Sequence, residues 1–225
     1  RILILKLALE LNKIVRSSLA KMDSKHIGID FDNTIVLYDE LFYELALKEG
    51  LIRKGSEKTK HAVRAALIKE NKEHIFIEIQ GIVYGKLIKD APAQPGIQKV
   101  LHQLINNGYK ISIFSHKTKF PIIGEKLDLH VAARNWLEIN GFNDPKIVGI
   151  EKKNIYFNET QEKKVSKIEK TGCAFFIDDL IKVLNDLDNR IKKIHFSPAC
   201  KNRELNSSII TMQSWNELIK IVFDN

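Results

Sequence analysis

The sequence predicts an α/β protein, a doubly wound parallel sheet with a small helical module inserted after the first strand. Three observations carry that expectation. Short β-branched or aromatic runs alternate with stretches of helical periodicity. The runs are apolar on both faces, as interior strands covered by helices must be. Between the first run and the second, residues 38–90 keep a helical pattern in place of a single crossover helix.

Taken in order, residues 1–21 read as an amphipathic helix or extension ahead of Met22, a natural start for the chain. A basic start and SSLA give this segment a partial likeness to a signal peptide, but Lys6 and Glu10 break its apolar run, which is too short to span a membrane. HIGID (26–30) is the first strand. YDELFYELALKEG (38–50) and SEKTKHAVRAALIKEN (56–71), with Ser56 as N-cap, read as helices. HIFIEIQGIVYG (74–85) also reads as helix, although Ile75, Ile77 and Ile79 alternate as in a strand. Pro92 and Pro95 in APAQPG mark the return to the sheet. The α/β domain is thus expected over 22–37 and 91–225, with a helical cap over 38–90.

Beyond that point YKISIFS (109–115), CAFFID (173–178) and KKIHFS (192–197) read as strands. IQKVLHQLINNG (97–108) and HVAARNWLEINGF (130–142) read as helices closed by glycine, the second with Asp128 as N-cap. Ligands of such sheets gather at the carboxyl ends of the strands. The polar residues ending the apolar runs are Asp30, Ser115 and Asp178.

Composition narrows the partners. The 225 residues are 44% hydrophobic and 28% charged with a net charge of +8, a soluble globular balance. Half of the excess lies in 51–90, where nine Lys and Arg face five acidic residues. Such a cluster attracts any anion, a phosphorylated small molecule included, or is simply a solvated helix face. It lacks the arginine-aromatic interleaving of a strand-binding groove, so no nucleic-acid partner is expected, and with no run long enough to span a bilayer no membrane is expected either. Two cysteines, Cys173 and Cys200, form no C-x-x-C pair and point to a reducing, cytoplasmic setting.

Asp30 and Asp32 stand two apart where a strand gives way to a loop. Such a pair can converge on one divalent cation, Asp30 by its side chain and Asp32 by its backbone carbonyl, leaving the Asp32 carboxylate free for proton transfer. Asp178 and Asp179, at the end of another apolar strand, supply the further carboxylate an oxygen site wants.

Asp30-Phe-Asp32-Asn33-Thr34 resembles the first motif, D-x-D-x-T, of the haloacid dehalogenase superfamily. Ser115, a Lys in QEKKVSK and Asp178-Asp179 resemble its second, third and fourth motifs, in that order, and the likeness runs from about residue 26 to 200. The resemblance implies a Rossmann-like core with a cap over the substrate, a Mg²⁺ ion held by Asp30, Asp32, Asp178 and Asp179, and a small phosphorylated substrate. It implies Asp30 as nucleophile, Asp32 as acid and base, and Ser115 and the Lys as donors to the phosphoryl group. Lys163 and Lys164 both remain candidates, Lys164 preferred because it precedes the first apolar residue of VSKIEKTG. Of the paired acids Asp178 is the preferred metal ligand, with Asp179 holding a metal-bound water or the Lys. Asn33, Thr34 and His116 are candidate substrate contacts, and Lys117 joins His116 at the mouth of the site.

Halide leaves without a proton, and dehalogenases of this superfamily lack an acid two residues after the nucleophile, so the likeness implies phosphoryl transfer. Fourteen residues from Lys164 to Asp178 resemble the nucleotidase-like branches. The expectation is a magnesium-dependent phosphatase acting on a sugar phosphate or nucleotide. A phosphomutase needs the same residues, and a non-catalytic module docking RNA or an acidic partner through the basic insertion is the reading from outside enzymology. Oligomeric state is left open.

Overall fold

In the computed structural model the described residues are 23–198 and 208–224. The expected helix over 1–21, the start at Met22 and Cys200 lie outside them.

Six parallel strands form one sheet in the order β3-β2-β1-β4-β5-β6. They are β1 (Asp23–Asp30), β2 (Lys110–His116), β3 (Ile155–Asn158), β4 (Cys173–Asp178), β5 (Lys192–Phe196) and β6 (Ile209–Met212). The four apolar runs read from sequence are the inner strands. The outer strands IYFN and IITM, four residues each, are the two edges. The chain leaves β1 toward β2 and β3, then returns to β4 on its other side, which makes the carboxyl end of β1 the switch point where α/β sheets bind ligands.

Side-chain alternation divides the core. Ile27, Ile29, Ile113, Phe175, Ile177 and Ile194 face one layer, with α4 (Ile97–Asn106), α5 (Leu129–Ile139) and α8 (Asn216–Phe223). Phe114, Phe176 and Cys173 face the other, with α6 (Gln161–Thr171) and α7 (Ile181–Asp186). A Cβ on Gly28 of β1 would stand 2.6 Å from Phe176, so the missing side chain is what lets Phe114 and Phe176 meet across the strand at 5.8 Å.

The insertion is helical: α1 (Asp39–Lys48), α2 (Lys60–Lys69) and α3 (Glu73–Tyr84). Phe42 of α1 and Phe76 of α3 stack at 5.5 Å, in a buried cluster that continues into the sheet layer. Its two linkers run side by side, Leu37 N–H donating to Pro92 O at 2.9 Å and Val36 bridging Ala93. The alternating isoleucines of 74–85 lie in a helix, because Phe76, Ile79 and Val83 share its buried face. The N-cap of α2 is Thr59, not Ser56: the Thr59 side chain accepts from Ala62 N–H, whereas the Ser56 hydroxyl closes a turn on Arg53 O. Among the described residues no helix is long and apolar enough to cross a membrane.

Candidate active site

β1 ends on Asp30, and the chain then folds into a compact turn in which Ile35 N–H and Val36 N–H both reach Phe31 O, at 3.0 and 3.2 Å. Asn33 takes φ 61° there, a left-handed conformation that asparagine tolerates better than most residues. Asp32 is thereby carried above the end of β2. Its carboxylate accepts from Ser115 Oγ and from Lys117 Nζ, each at 2.8 Å. Lys117 is only 3% exposed and its backbone is fixed on both sides, its N–H on Asn158 O at 2.9 Å and its carbonyl bonded to the His130 ring at 2.7 Å.

A second cluster sits beside the first. Lys164, in the first turns of α6 behind the N-cap Thr160, is 2% exposed. Its ammonium donates to Asp30 Oδ1 at 2.5 Å and to Asp178 Oδ2 at 2.7 Å. Asp178 Oδ1 takes Leu180 N–H at 2.8 Å, and the Asp179 carbonyl accepts from His195 at 3.1 Å, which pins the loop after β4. One carboxylate oxygen from each of Asp30, Asp178 and Asp179 lies within 4.8 Å of the others.

Asp30, Asp32, Lys164 and Asp179 form the floor of a cavity of about 320 Å³ lined also by Asn33, His116, Lys117 and Gln161, with Asp178 and Ser115 behind that floor. The cap supplies the opposite wall through Lys60, Ile77, Gln80, Gly81 and Tyr84. The close seating depends on Gly81, where a Cβ would come within 2.8 Å of Pro121.

The electrostatics follow from burying three carboxylates around one ammonium. Burial pushes the Asp30 carboxyl well above the usual range against the pull of Lys164, and Asp178, Asp179 and Asp32 push it further. Burial and then Asp178 raise Asp179 to about 7. Burial opposes the charge on Lys164, but Asp30 and Asp178 hold its ammonium above the usual lysine range. Asp32 goes the other way. Burial works to raise it, and the Lys117 ammonium with the hydrogen bonds from Lys117 and Ser115 outweighs that and holds it below the carboxylate norm. Two acids two residues apart are thus driven in opposite directions, a separation that acid-base chemistry exploits.

The donor set fits a hard divalent cation: crowded carboxylates with one cation among them carry the uncompensated charge that such an ion neutralises. The Asp32 carboxylate is not in that cluster, being taken by Ser115 and Lys117.

Most of the expected residues meet at this site, the preferred Lys164 among them. Lys164, not Lys163, enters the site; Lys163 points to solvent beside Glu159, at 3.9 Å. The partner of that lysine is Asp178 rather than Asp179. Ser115 Oγ, expected to donate to a phosphoryl oxygen, donates here to Asp32. Thr34 is fully buried and off the cavity wall, because the turn after β1 points it into the protein. His116 and Asn33 do line the cavity. Sequence reasoning placed Lys117 at the mouth, whereas it is buried against Asp32 and the Tyr84 ring, 3.7 Å from its centroid. It also passed over Lys60. The available signal was its position as first residue of a helix, where a cation opposes the helix dipole.

A six-stranded parallel sheet with acidic strand ends at its switch point and a helical insertion after β1 is the haloacid dehalogenase-like fold, and the chain has it. The structure resembles a HAD-superfamily hydrolase from Ehrlichia chaffeensis at TM-score 0.53 and 12% identity, over 91% of this chain and 98% of that one. It resembles a subfamily IA, variant 1 hydrolase from Geobacter sulfurreducens at TM-score 0.54 and 12% identity, over 91% and 99% of the two chains. A HAD family hydrolase from Deinococcus radiodurans, with bound phosphate and sodium, matches at TM-score 0.56 and 12% identity over 89% and 95%. No protein-family model matches the sequence, and comparison with curated proteins gives no match.

Proposed function

We propose that the protein is a magnesium-dependent phosphatase that hydrolyses a small phosphorylated metabolite, a sugar phosphate or a nucleotide, through an aspartyl-phosphate on Asp30. The observation that carries this is the division of labour between neighbours: Asp30 shares Lys164 with Asp178 while Asp32 is oriented separately by Ser115 and Lys117.

Asp30 Oδ1 is fixed by Lys164, which leaves Oδ2 with no hydrogen bond from the described residues and aims one oxygen at a phosphorus. A Mg²⁺ ion held by Asp30, Asp178, Asp179 and the Asp32 carbonyl would neutralise the phosphoryl charge that otherwise repels this attack. As the Asp30–phosphorus bond forms and the ester bond breaks, a protonated Asp32 gives its proton to the leaving alkoxide. The Asp32 carboxylate then takes a proton from the water that attacks phosphorus, and inorganic phosphate leaves as Asp30 is regenerated. Lys117 ties this group to the charge of the substrate: a phosphoryl oxygen offers the ammonium a second anion and loosens its hold on Asp32. Asn33 and His116, both on the cavity wall, are substrate contacts in this reading.

Phosphate release from a set of phosphorylated metabolites tests this, with and without Mg²⁺ and beside Asp30→Asn. Turnover that survives either EDTA or Asp30→Asn would sink it. Sustained release also separates hydrolysis from a phosphomutase, which returns the group to substrate. The RNA-docking alternative has less unpaired charge to draw on in the cap, where Lys58, Arg64 and Lys72 pair with Glu40, Glu73 and Glu70 and Lys86 with Glu125 of the core. A reducing, cytoplasmic setting fits the free and buried Cys173.

A further inference from the structure

The cavity-lining acids and the phosphate-directed lysine all stand on the floor of the cavity, and the roof is different. Of the cap residues that line it, Lys60 is the one cation, Gln80 brings a side-chain amide, and there is no carboxylate. Lys60 Nζ donates to Tyr84 Oη at 2.7 Å, and no carboxylate of the described residues lies within ion-pair distance of it. The other cap cations with a near acidic neighbour have satisfied it outside the cavity, as Lys58 has with Glu40 and Arg64 with Glu73. Lys60 is also half-buried, in the first turn of α2, a turn that contains no acidic residue. Asp39 Oδ1 accepts the Lys60 N–H at 2.9 Å and so answers the positive end of the helix, but it is not paired with the Lys60 ammonium. The Gln80 amide makes no hydrogen bond to the described residues.

Burial opposes the charge on Lys60, and Tyr84 with the more distant Asp32 and Asp179 sustains it. The Phe42 and Tyr84 rings face the ammonium at 5.6 and 5.3 Å. What it lacks is a contact anion, which a ligand would bring. The two floor acids nearest in charge to it cannot be that ligand. Asp32 is held by Lys117 and Ser115, and Asp179 belongs to the carboxylate cluster. From this geometry we infer that the leaving group of the substrate carries a second anionic group, a carboxylate or a second phosphate, which Lys60 binds with the Gln80 amide beside it. The inference rests on the phosphatase reading and sharpens it from any small phosphorylated metabolite to one charged at both ends. The cavity, about 320 Å³, is at the small end of ligand sites, which favours a compact substrate. Tyr84 completes the subsite: its hydroxyl accepts from Lys60 while its ring faces Lys117, so one side chain stands between the two ammonium groups.

Matched pairs of esters test it. Glycerol 3-phosphate against 3-phosphoglycerate adds a carboxylate, and fructose 6-phosphate against fructose 1,6-bisphosphate adds a phosphate. With Mg²⁺ present, kcat/KM is expected to favour the charged member of one pair at least about tenfold, the value of one charge-assisted contact, and the favoured pair names the group. Lys60→Gln should cut that ratio about tenfold, chiefly through KM, and Lys60→Arg should keep most of it. Equal kcat/KM within both pairs, or a Lys60→Gln variant that lowers both members alike, overturns the inference. Calorimetric titration of the same four compounds into Asp30→Asn protein reads recognition without turnover. A preference there that Lys60→Gln abolishes supports the subsite even if the wild type releases no phosphate and the phosphatase reading fails. No Lys60-dependent preference in either assay overturns it.

Discussion

Lys117 Nζ stands 2.8 Å from Asp32 Oδ1, and the same ammonium faces the ring of Tyr84, 3.7 Å from its centroid. The pair joins the proposed acid-base residue of the core to the cap, because Tyr84 is the last residue of α3. An ion pair this deep is expensive to break from one side, since the remaining charge is left buried without a partner. Replacing Lys117 by Met is therefore expected to destabilise the protein by about 3 kcal/mol, read as a fall in melting temperature. It should also raise the Asp32 carboxyl. The alkaline limb of kcat/KM for an alkyl phosphate should then move to higher pH, while a variant that merely loosens the fold would lower the whole profile without moving that limb.

Lys164 is the only ammonium bonded to the acid cluster among the described residues. Lys164→Met is expected to leave three buried carboxylates crowded together and to cost about a hundredfold or more in kcat. Saturating Mg²⁺ should restore most of the lost melting temperature but little of the activity, since an ion can replace the charge and not the fixed hydrogen bond on Asp30. Recovery of both would show that Lys164 does no more than balance charge.

Asp179 sets a pH dependence for the metal-free protein. Its carboxyl is raised by burial and by Asp178 from the ordinary 3.8 to about 7. Between those values the folded protein holds a proton that the unfolded chain has released, so this contribution to stability is complete below about pH 4 and is lost as pH rises through 7. A divalent ion needs the ionised form and releases that proton on binding. The rise in melting temperature on adding Mg²⁺ should accordingly be larger at pH 8 than at pH 6. The opposite order would place the ion elsewhere.

The acidic strand ends were legible because each is a polar residue closing an apolar run, a pattern that survives in one dimension. Asp30, Ser115 and Asp178 needed only the rule that ligands collect at the carboxyl ends of parallel strands. What joined Ser115 to Asp32 was not legible, since it depends on how the turn after Phe31 lifts Asp32 over β2. Lys117 and Lys60 were hidden for a related reason. Each lies in a segment rich in exposed lysines, and only the packing of the cap against the core shows which one turns inward. IYFN and IITM escaped because four residues at a sheet edge are too few to establish a period of two.

The cap's approach to the core can be tested away from every charged group. Gly81 on α3 faces Pro121 so closely that any Cβ would have to displace one of them. Gly81→Val is expected to hold the cap off the 117–128 loop, raising KM about tenfold or more while leaving Mg²⁺ affinity unchanged. A parallel loss of metal binding would mean that the substitution had disturbed the floor and not the roof.

Far from the site, His26 makes a further pH-dependent contribution to stability. It is 1% exposed midway along β1, bonded to Ser112 Oγ at 2.8 Å and lying 3.6 Å from Cys173 Sγ. Burial, with Lys110 nearby, lowers the imidazole from 6.5 to about 4. Here the unfolded chain takes up a proton that the folded protein refuses, so stability is complete above pH 6.5 and falls as the solution is acidified toward 4. The loss over that interval is on the order of 3 kcal/mol. A His26→Asn variant keeps a polar group for Ser112 but cannot take up the proton. Its urea midpoint should therefore be lower than that of the wild type at pH 7.5 and should lose less between pH 7 and pH 5. Parallel urea midpoints for the two proteins across that range would show that His26 is not the group that titrates.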